Sequence, residues 1–443
     1  MNTAFSEKNS RREFVKGSSL LTGGLLAAPL LSKANFFSGS DDVIKIAVVG
    51  CGGRGTGAAM QALSSKQNVK IVAMADAFKD NLDNCHKSLT EEINNSIGSL
   101  AQRLDVPEER RFTGFDAYQK AIALADVVIL ATPPGFRPIH FAEAIKQNKH
   151  VFMEKPVATD PAGIQSVLAT AAIAKQKKLN VVVGLQRHYQ NSYRELFKRK
   201  DLIGDITSAQ AWWDNDGVWV RPRKYSQTEM EYQMRNWYYF NWLCGDHITE
   251  QHIHNLDVIN WFKGGHPVKA QGFGGRQVRK GKENGEIFDH HFVEFEYADG
   301  SILNSQCRHI PGTMSKVDEL LVGTKGKIFC GAAHIKDHSG KLIYQYDTKL
   351  ENNPYQTEHD ELFAAIAKGE YKYADAENGA SSTMTSILGR MATYSGQVIE
   401  WDKAINSGID IHPKEYDWNA APPVLPNADG YYPIAIPGVT KYF

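Results

Sequence analysis

Gly50-Cys51-Gly52-Gly53-Arg54-Gly55 satisfies G-x-G-x-x-G at the point where a β-branched run, Val43 to Val49, gives way to a helix-forming stretch. Such a loop turns sharply and lets the backbone approach a pyrophosphate, with the N-terminus of the following helix facing the negative charge. Asp76 closes the next apolar run, where a carboxylate accepts hydrogen bonds from ribose hydroxyls and repels a 2′-phosphate. Together these residues point to a dinucleotide, NAD in preference to NADP, held by Gly50, Gly52, Gly53, Arg54, Gly55 and Asp76. A second concentration of reactive side chains lies in "GDHITEQHIHNLD". On a helix, His247, Glu250 and His254 fall at i, i+3 and i+7 and share one face, while His252 points elsewhere. His247, Glu250, His252 and His254 would also offer ligands to a metal, but H-E-x-x-H and its inverse are both absent, so no metal is expected.

The elements that must position these groups follow from periodicity. "VIKIAVVG", a helix to about Ser64 and "NVKIVAMAD" form a β-α-β unit. Further strands are expected at "ADVVILATPP", "HVFMEKP" and "NVVVGLQ", separated by helices at "HFAEAIKQN" and "PAGIQSVLATAAIAKQKK". The alternation implies an α/β protein whose N-terminal Rossmann domain, residues 41–186, has a parallel sheet with the ligand crevice at the strands' carboxyl ends. After that boundary, aromatic and polar segments precede strand-like runs such as "HHFVEFEYADGSILNSQCRH". Residues 187–410 are therefore read as an α+β domain with a large, mostly antiparallel sheet, for substrate and oligomer contacts. The proline-rich stretch 411–443 suits neither helix nor central strand and should lie extended on the body or on a neighbouring subunit.

Composition narrows the partners. Lys+Arg 50 against Asp+Glu 50 leaves no net charge to attract nucleic acid, so a small molecule is expected. Five scattered cysteines without a C-x-x-C read as buried small side chains. Residues 1–34 have the form of a twin-arginine signal: Ser10-Arg11-Arg12-Glu13-Phe14-Val15-Lys16, an apolar stretch from Gly17 to Leu31, then Ser32-Lys33-Ala34. That stretch is too short to span a bilayer and no longer one follows, so export in folded form to the periplasm is expected, without a membrane span. A large sheet with an exposed face, together with the tail, suggests a homo-oligomer, a dimer or tetramer.

Two segments carry more specific information. "ATPPGFRPIHFAEAIKQNKHVFMEKPVA" resembles the T-P … K-H-V-x-x-E-K-P signature of the Gfo/Idh/MocA oxidoreductases, and "EQHIHNLD" resembles their catalytic helix, in which a histidine precedes x-Leu-Asp. The resemblance spans most of the chain after the signal. It implies that Thr132, Pro133, Glu154 and Pro156 line the nicotinamide side, that His140 and Gln186 also bind the cofactor, and that Lys155 touches both nicotinamide and substrate. His254 matches the family's histidine; Glu250 stands where aspartate is usual and reaches one methylene further. In the chemistry so implied, hydride leaves a carbinol carbon as its hydroxyl proton is removed: His254 accepts the proton, Lys155 stabilises the developing alkoxide and Glu250 orients the imidazole.

Arg187, Trp237 and His247 are assigned to the substrate, although much of the surrounding aromatic set (Trp212, Trp213, Trp219, Tyr238, Trp242) reads as core or subunit contact. The implied activity is oxidation or reduction of a carbohydrate hydroxyl, a glycoside 3-dehydrogenase being one form. Its NAD would be tightly bound and recycled on the enzyme, because no free NAD pool exists outside the inner membrane. Two alternatives use the same pocket, an NAD-dependent glycosidase acting through a transient 3-keto intermediate and a non-catalytic sugar-binding protein. The retained lysine and histidine favour the dehydrogenase.

Overall fold

Short apolar strands build the first layer of the computed structural model, which describes residues 42–95 and 99–442. The twin-arginine segment lies outside the described residues. β1 (Ile44–Val49), β2 (Val69–Asp76), β3 (Arg111–Thr113), β4 (Val127–Leu130), β5 (His150–Met153) and β6 (Val181–Val183) form a six-stranded sheet in the order β3-β2-β1-β4-β5-β6, parallel throughout. β4 and β6 are buried at every residue and β1 at all but Lys45, as strands covered on both faces by helices must be. The covering helices are α1 (Gly53–Leu63), α2 (Lys79–Asn95), α3 (Ala117–Ala123), α4 (Arg137–Lys146) and α5 (Pro161–Gln176). α1 buries Gly55, Ala58, Ala59 and Ala62, small residues that let it lie close on the sheet. α5 starts sharply because Asp160 accepts from the Gly163 N–H at 2.7 Å and Pro161 occupies the first turn.

The second sheet has nine strands: β7 (Ile206–Asn215), β8 (Pro267–Gly275), β9 (His290–Tyr297), β10 (Ile302–His309), β11 (Lys316–Gly323), β12 (Gly326–Phe329), β13 (His334–Asp337), β14 (Leu342–Gln345) and β15 (Ile399–Glu400). Their order is β14-β13-β12-β11-β7-β10-β9-β8-β15, antiparallel except for the parallel β7–β10 pair. Strict alternation in β9 and β10 buries His291, Val293, Phe295 and Tyr297 and, across the hairpin, Leu303, Ser305, Cys307 and His309. The buried face receives the helices Ile253–Lys263 and Ala376–Ser395. The second of these also packs on α5, so one continuous apolar core runs from β1 to β9. All five cysteines are free and buried, in keeping with their reading as small core side chains. Beyond the helix Trp401–Ile405 the described chain forms no further helix or strand, and its Tyr416, Trp418 and Tyr432 pack on the body.

Candidate active site

Strand order reverses between β1 and β4, and a crevice opens at their carboxyl ends. Gly50 has φ +95°, and a Cβ there would sit 2.5 Å from the Ala131 carbonyl carbon; a Cβ on Gly55 would sit 1.8 Å from the Gly50 carbonyl oxygen. The turn therefore closes only with hydrogen at both positions. At Gly52 and Gly53, by contrast, a Cβ would meet no atom within 4 Å, because both border a cavity of about 330 Å³ that Asp76, Thr132 and Pro133 also line. Asp76 faces this space while bracing the loop: its Oδ2 accepts from the Cys51 N–H at 2.7 Å and its Oδ1 from the Phe78 N–H at 2.8 Å. Burial holds its carboxyl above the usual carboxylate range, against the pull of those hydrogen bonds. An open glycine face at a helix N-terminus, with a carboxylate at the next strand end, fits a dinucleotide.

Beside this cradle, Arg137 fastens two strand ends together. Its buried guanidinium donates from Nε to the Glu154 carbonyl (2.9 Å) and from Nη2 to the Thr132 carbonyl (2.6 Å). Burial pulls this arginine down to about 10. The Thr132 hydroxyl lies 3.1 Å from His140 Nδ1, and burial, then Arg137, brings that imidazole down to about 3, so it is neutral. Arg54 turns to protein partners, with Nε 2.5 Å from Glu154 Oε1 and Nη2 3.3 Å from Glu358 Oε1. It borders the cavity as a brace for Glu154. Lys155 Nζ donates to the Glu250 carbonyl at 2.6 Å and to Glu250 Oε1 at 3.2 Å.

The histidine stretch departs from the single helix expected of it. A four-residue helix, His247–Glu250, ends at Gln251 (φ −109°, ψ −52°), and a separate helix runs over Ile253–Lys263. The shared face of His247, Glu250 and His254 is lost at that break. His254, 5 % exposed, lies stacked on Trp213 at 5.8 Å with its Nδ1 buried and unpaired. Burial, then Lys155, Arg187 and Arg54, holds its imidazole well below the usual histidine range, so the ring is neutral. Glu250 does not orient this ring. Its Oε1 is taken by Lys155 and its Oε2 is buried without a partner, so the carboxylate positions the lysine. His252 bonds Ser305 Oγ at 2.7 Å, and the four candidate ligands of the sequence do not converge.

One substrate assignment is also corrected. His247 is wholly buried behind the short helix, its ring 4.4 Å from that of His309 and 4.8 Å from that of His291, out of reach of a ligand in the cavity. Trp237 lines the dinucleotide cavity with Asp76 and Phe78. Arg187 stays near the imidazole it depresses, with Nε 3.6 Å from Glu319 Oε1. Gln186 opens the turn after β6, with its Oε1 buried and unpaired. The aspartate of the H-x-L-D segment has a positioning role: Asp257 accepts from Ser382 Oγ (2.8 Å) and Asn378 Nδ2 (3.0 Å), and lies 2.8 Å from His188 Nε2. It thereby ties the helix of His254 to Ala376–Ser395.

Several walls of the cavity went unread in the sequence. Trp219, Arg221 and Arg235 reach it from the segment before the short helix, and Arg235 lies 3.7 Å over the Phe78 ring while paired with Asp80 at 2.8 Å. Phe78 and Phe115, which line the cavity, are backed by Trp418 of the tail, whose ring lies 5.0 Å from the first and 4.4 Å from the second. The only available signal was a local excess of aromatic residues, which does not say what they face.

Residues 44–185 match the Gfo/Idh/MocA "Oxidoreductase family, NAD-binding Rossmann fold". The inositol 2-dehydrogenase of Cereibacter sphaeroides is 22% identical over 358 residues, covering 77% of this chain and 92% of its own. The scyllo-inositol dehydrogenase of Lactobacillus casei, solved with bound cofactor NAD(H) and scyllo-inositol, superposes with a TM-score of 0.60 at 19% identity, over 82% of this chain and 100% of that one. For the aldose-aldose oxidoreductase of Caulobacter crescentus complexed with glycerol the TM-score is 0.63 at 16% identity, over 81% and 100%. At these identities the likeness bears on the fold. The chain spans about two-fifths of the length of other curated relatives it matches, 43%, 44% and 41%. Residues 44–185, with their dinucleotide cradle and E-K-P lysine, thus match the NAD-binding Rossmann domain of the Gfo/Idh/MocA oxidoreductases.

Proposed function

We propose that this protein is an exported NAD-dependent oxidoreductase acting on a ring hydroxyl of a sugar or glycoside, as a glycoside 3-dehydrogenase does. One observation carries the reading: Lys155 is held against Glu250 beside an imidazole, His254, that burial and neighbouring cations keep neutral. When bound, the dinucleotide supplies the hydride acceptor or donor. His254 is in the protonation state a base needs, and with Nδ1 enclosed its Nε2 is the nitrogen left to meet a hydroxyl. Lys155 offers its ammonium to the oxygen that loses the proton. Arg137 keeps Thr132 and Glu154 in register so that the lysine leaves the sheet next to the cradle. Product analysis after incubation with a glycoside tests the reading: a 3-keto glycoside is expected, whereas free sugar would indicate the hydrolytic cycle and no change would count against catalysis.

NAD is preferred over NADP because a carboxylate at the end of the second strand, as Asp76 is, accepts from ribose hydroxyls and repels a 2′-phosphate. Asp76→Ala is expected to weaken NAD by about ten- to a hundredfold, the loss of a hydrogen bond to a charged group, and to narrow the preference over NADP, both read by calorimetric titration. The exposed Phe273 on the nine-stranded sheet and Met314 in the loop between β10 and β11 support a homo-oligomer. Export rests on the arginine pair: exchanging Arg11 and Arg12 for lysine is expected to hold the protein in the cytoplasm, and unchanged periplasmic accumulation in cell fractions would refute that route.

A further inference from the structure

Behind the short helix that carries Glu250, the side chains of Asp246, His247 and His291 meet with one ligand atom each within 4.8 Å of the others. Asp246 and His247 are fully buried and His291 is 2 % exposed. His247 Nδ1 lies 2.8 Å from Asp246 Oδ1, and His291 Nε2 lies 3.3 Å from Asp246 Oδ2. Neither contact has the alignment of a hydrogen bond, so both buried nitrogens face the carboxylate without a hydrogen-bond partner. Enclosed polar atoms are normally paired, so close approaches without a shared proton call for another occupant. Two ligands each about 2.0–2.1 Å from one ion, at octahedral to tetrahedral angles, lie about 2.9–3.4 Å apart, and the two observed approaches fall close to that range.

The surroundings are those of a fixed ligand set. His291 Nδ1 is 2.8 Å from Thr393 Oγ1, which sets the ring so that Nε2 faces the aspartate. The Asp246 carboxylate accepts from the backbone N–H groups of His247 (2.5 Å) and Phe288 (3.0 Å) and from the Tyr394 hydroxyl (2.5 Å). Asp246 itself has φ +71° and ψ 162°, a conformation that non-glycine residues seldom hold, and it turns the carboxylate inward. The other acidic and histidine group among the described residues, Asp160, Asp410 and His412, differs: its buried carboxylate is satisfied by the Gly163 and Ile411 N–H groups, and Asp410 is exposed.

We propose that Asp246, His247 and His291 hold a divalent transition metal such as zinc, which braces the helix His247–Glu250 from behind and so fixes the carboxylate that positions Lys155. Two imidazoles and one carboxylate are a donor set such ions accept, and the ion's charge would offset that of the buried aspartate. The site is separate from the dinucleotide cavity and stands whether or not the redox reading holds.

The test uses the full chain, purified through a tag without histidine from zinc-supplemented cells. Elemental analysis is expected to find about one zinc per chain after dialysis. His291→Gln should lower that content by about tenfold or more while the bound dinucleotide stays at the parental level. The parent reconstituted with cobalt(II) should show visible d–d absorption, a readout that does not depend on a variant folding. Parent protein that retains less than about a tenth of an equivalent when offered zinc, iron, manganese or cobalt would overturn the site. So would His291→Gln and Asp246→Asn variants that keep the parental content.

Discussion

His254→Ala is expected to slow reduction of the bound nicotinamide by about 10²–10⁴-fold, roughly 3–5 kcal/mol of barrier, with the dinucleotide still bound. The magnitude is that of a lost general base, and the separation of effects follows from position. His254 is absent from the lining of the dinucleotide cavity, and it is anchored from beneath by helix packing and the Asp257 network. Replacing the ring leaves Gly50–Gly55 and Asp76 untouched, so copurified nucleotide should match the parent. Because a truncated ring also opens space beside Trp213, His254→Gln serves as the filled control and should be nearly as slow, since an amide accepts no proton. Single-turnover absorbance of the reduced nicotinamide after mixing with a glycoside reads the step directly. Parental rates in both variants would remove His254 from the chemistry.

What the sequence disclosed and what it withheld divide along physical lines. Gly50 and Gly55 were legible because the turn closes only without a Cβ at either position. The β9–β10 hairpin was legible because its burial alternates with the same period as its residues. The break at Gln251 was hidden, since a helical period continues through "HITEQHIHNLD" and only tertiary contacts end it. Asp246 is held with positive φ by the groups that bond its carboxylate, and His252 is drawn to Ser305 across the sheet. That break separates Glu250 from His254 and hands the glutamate to Lys155. Arg137 was equally unreadable, because an arginine near a helix start normally faces water and this one is buried by two carbonyls that the fold delivers from different strands. Trp237, read as a substrate contact, lines the same cavity as Asp76, a placement that depends on the path of the segment between β7 and the short helix.

Replacement of Lys155 by methionine should lower the rate of the same step by about 10²–10³-fold, the usual cost of removing one preorganised oxyanion partner. It should also move the acid limb of the pH–rate profile, which a purely structural loss would not do. His254 must be neutral to accept a proton, so activity is present above its pKa and is lost as pH falls through it. Burial is the first cause of its depressed value and Lys155 the second, so deleting that cation raises the value toward the ordinary histidine figure of about 6.5 and carries the limb to higher pH. Glu250→Gln provides the contrast. It removes the 3.2 Å carboxylate contact but leaves the 2.6 Å bond from Lys155 to the Glu250 backbone carbonyl, so the lysine stays in place and the rate should fall less than in the methionine variant. An acid limb that stays put or moves to lower pH in Lys155→Met would separate the lysine from the imidazole and refute their joint action on one hydroxyl. A limb that moves upward with a slowed step would place both groups on the oxygen that gives up its proton.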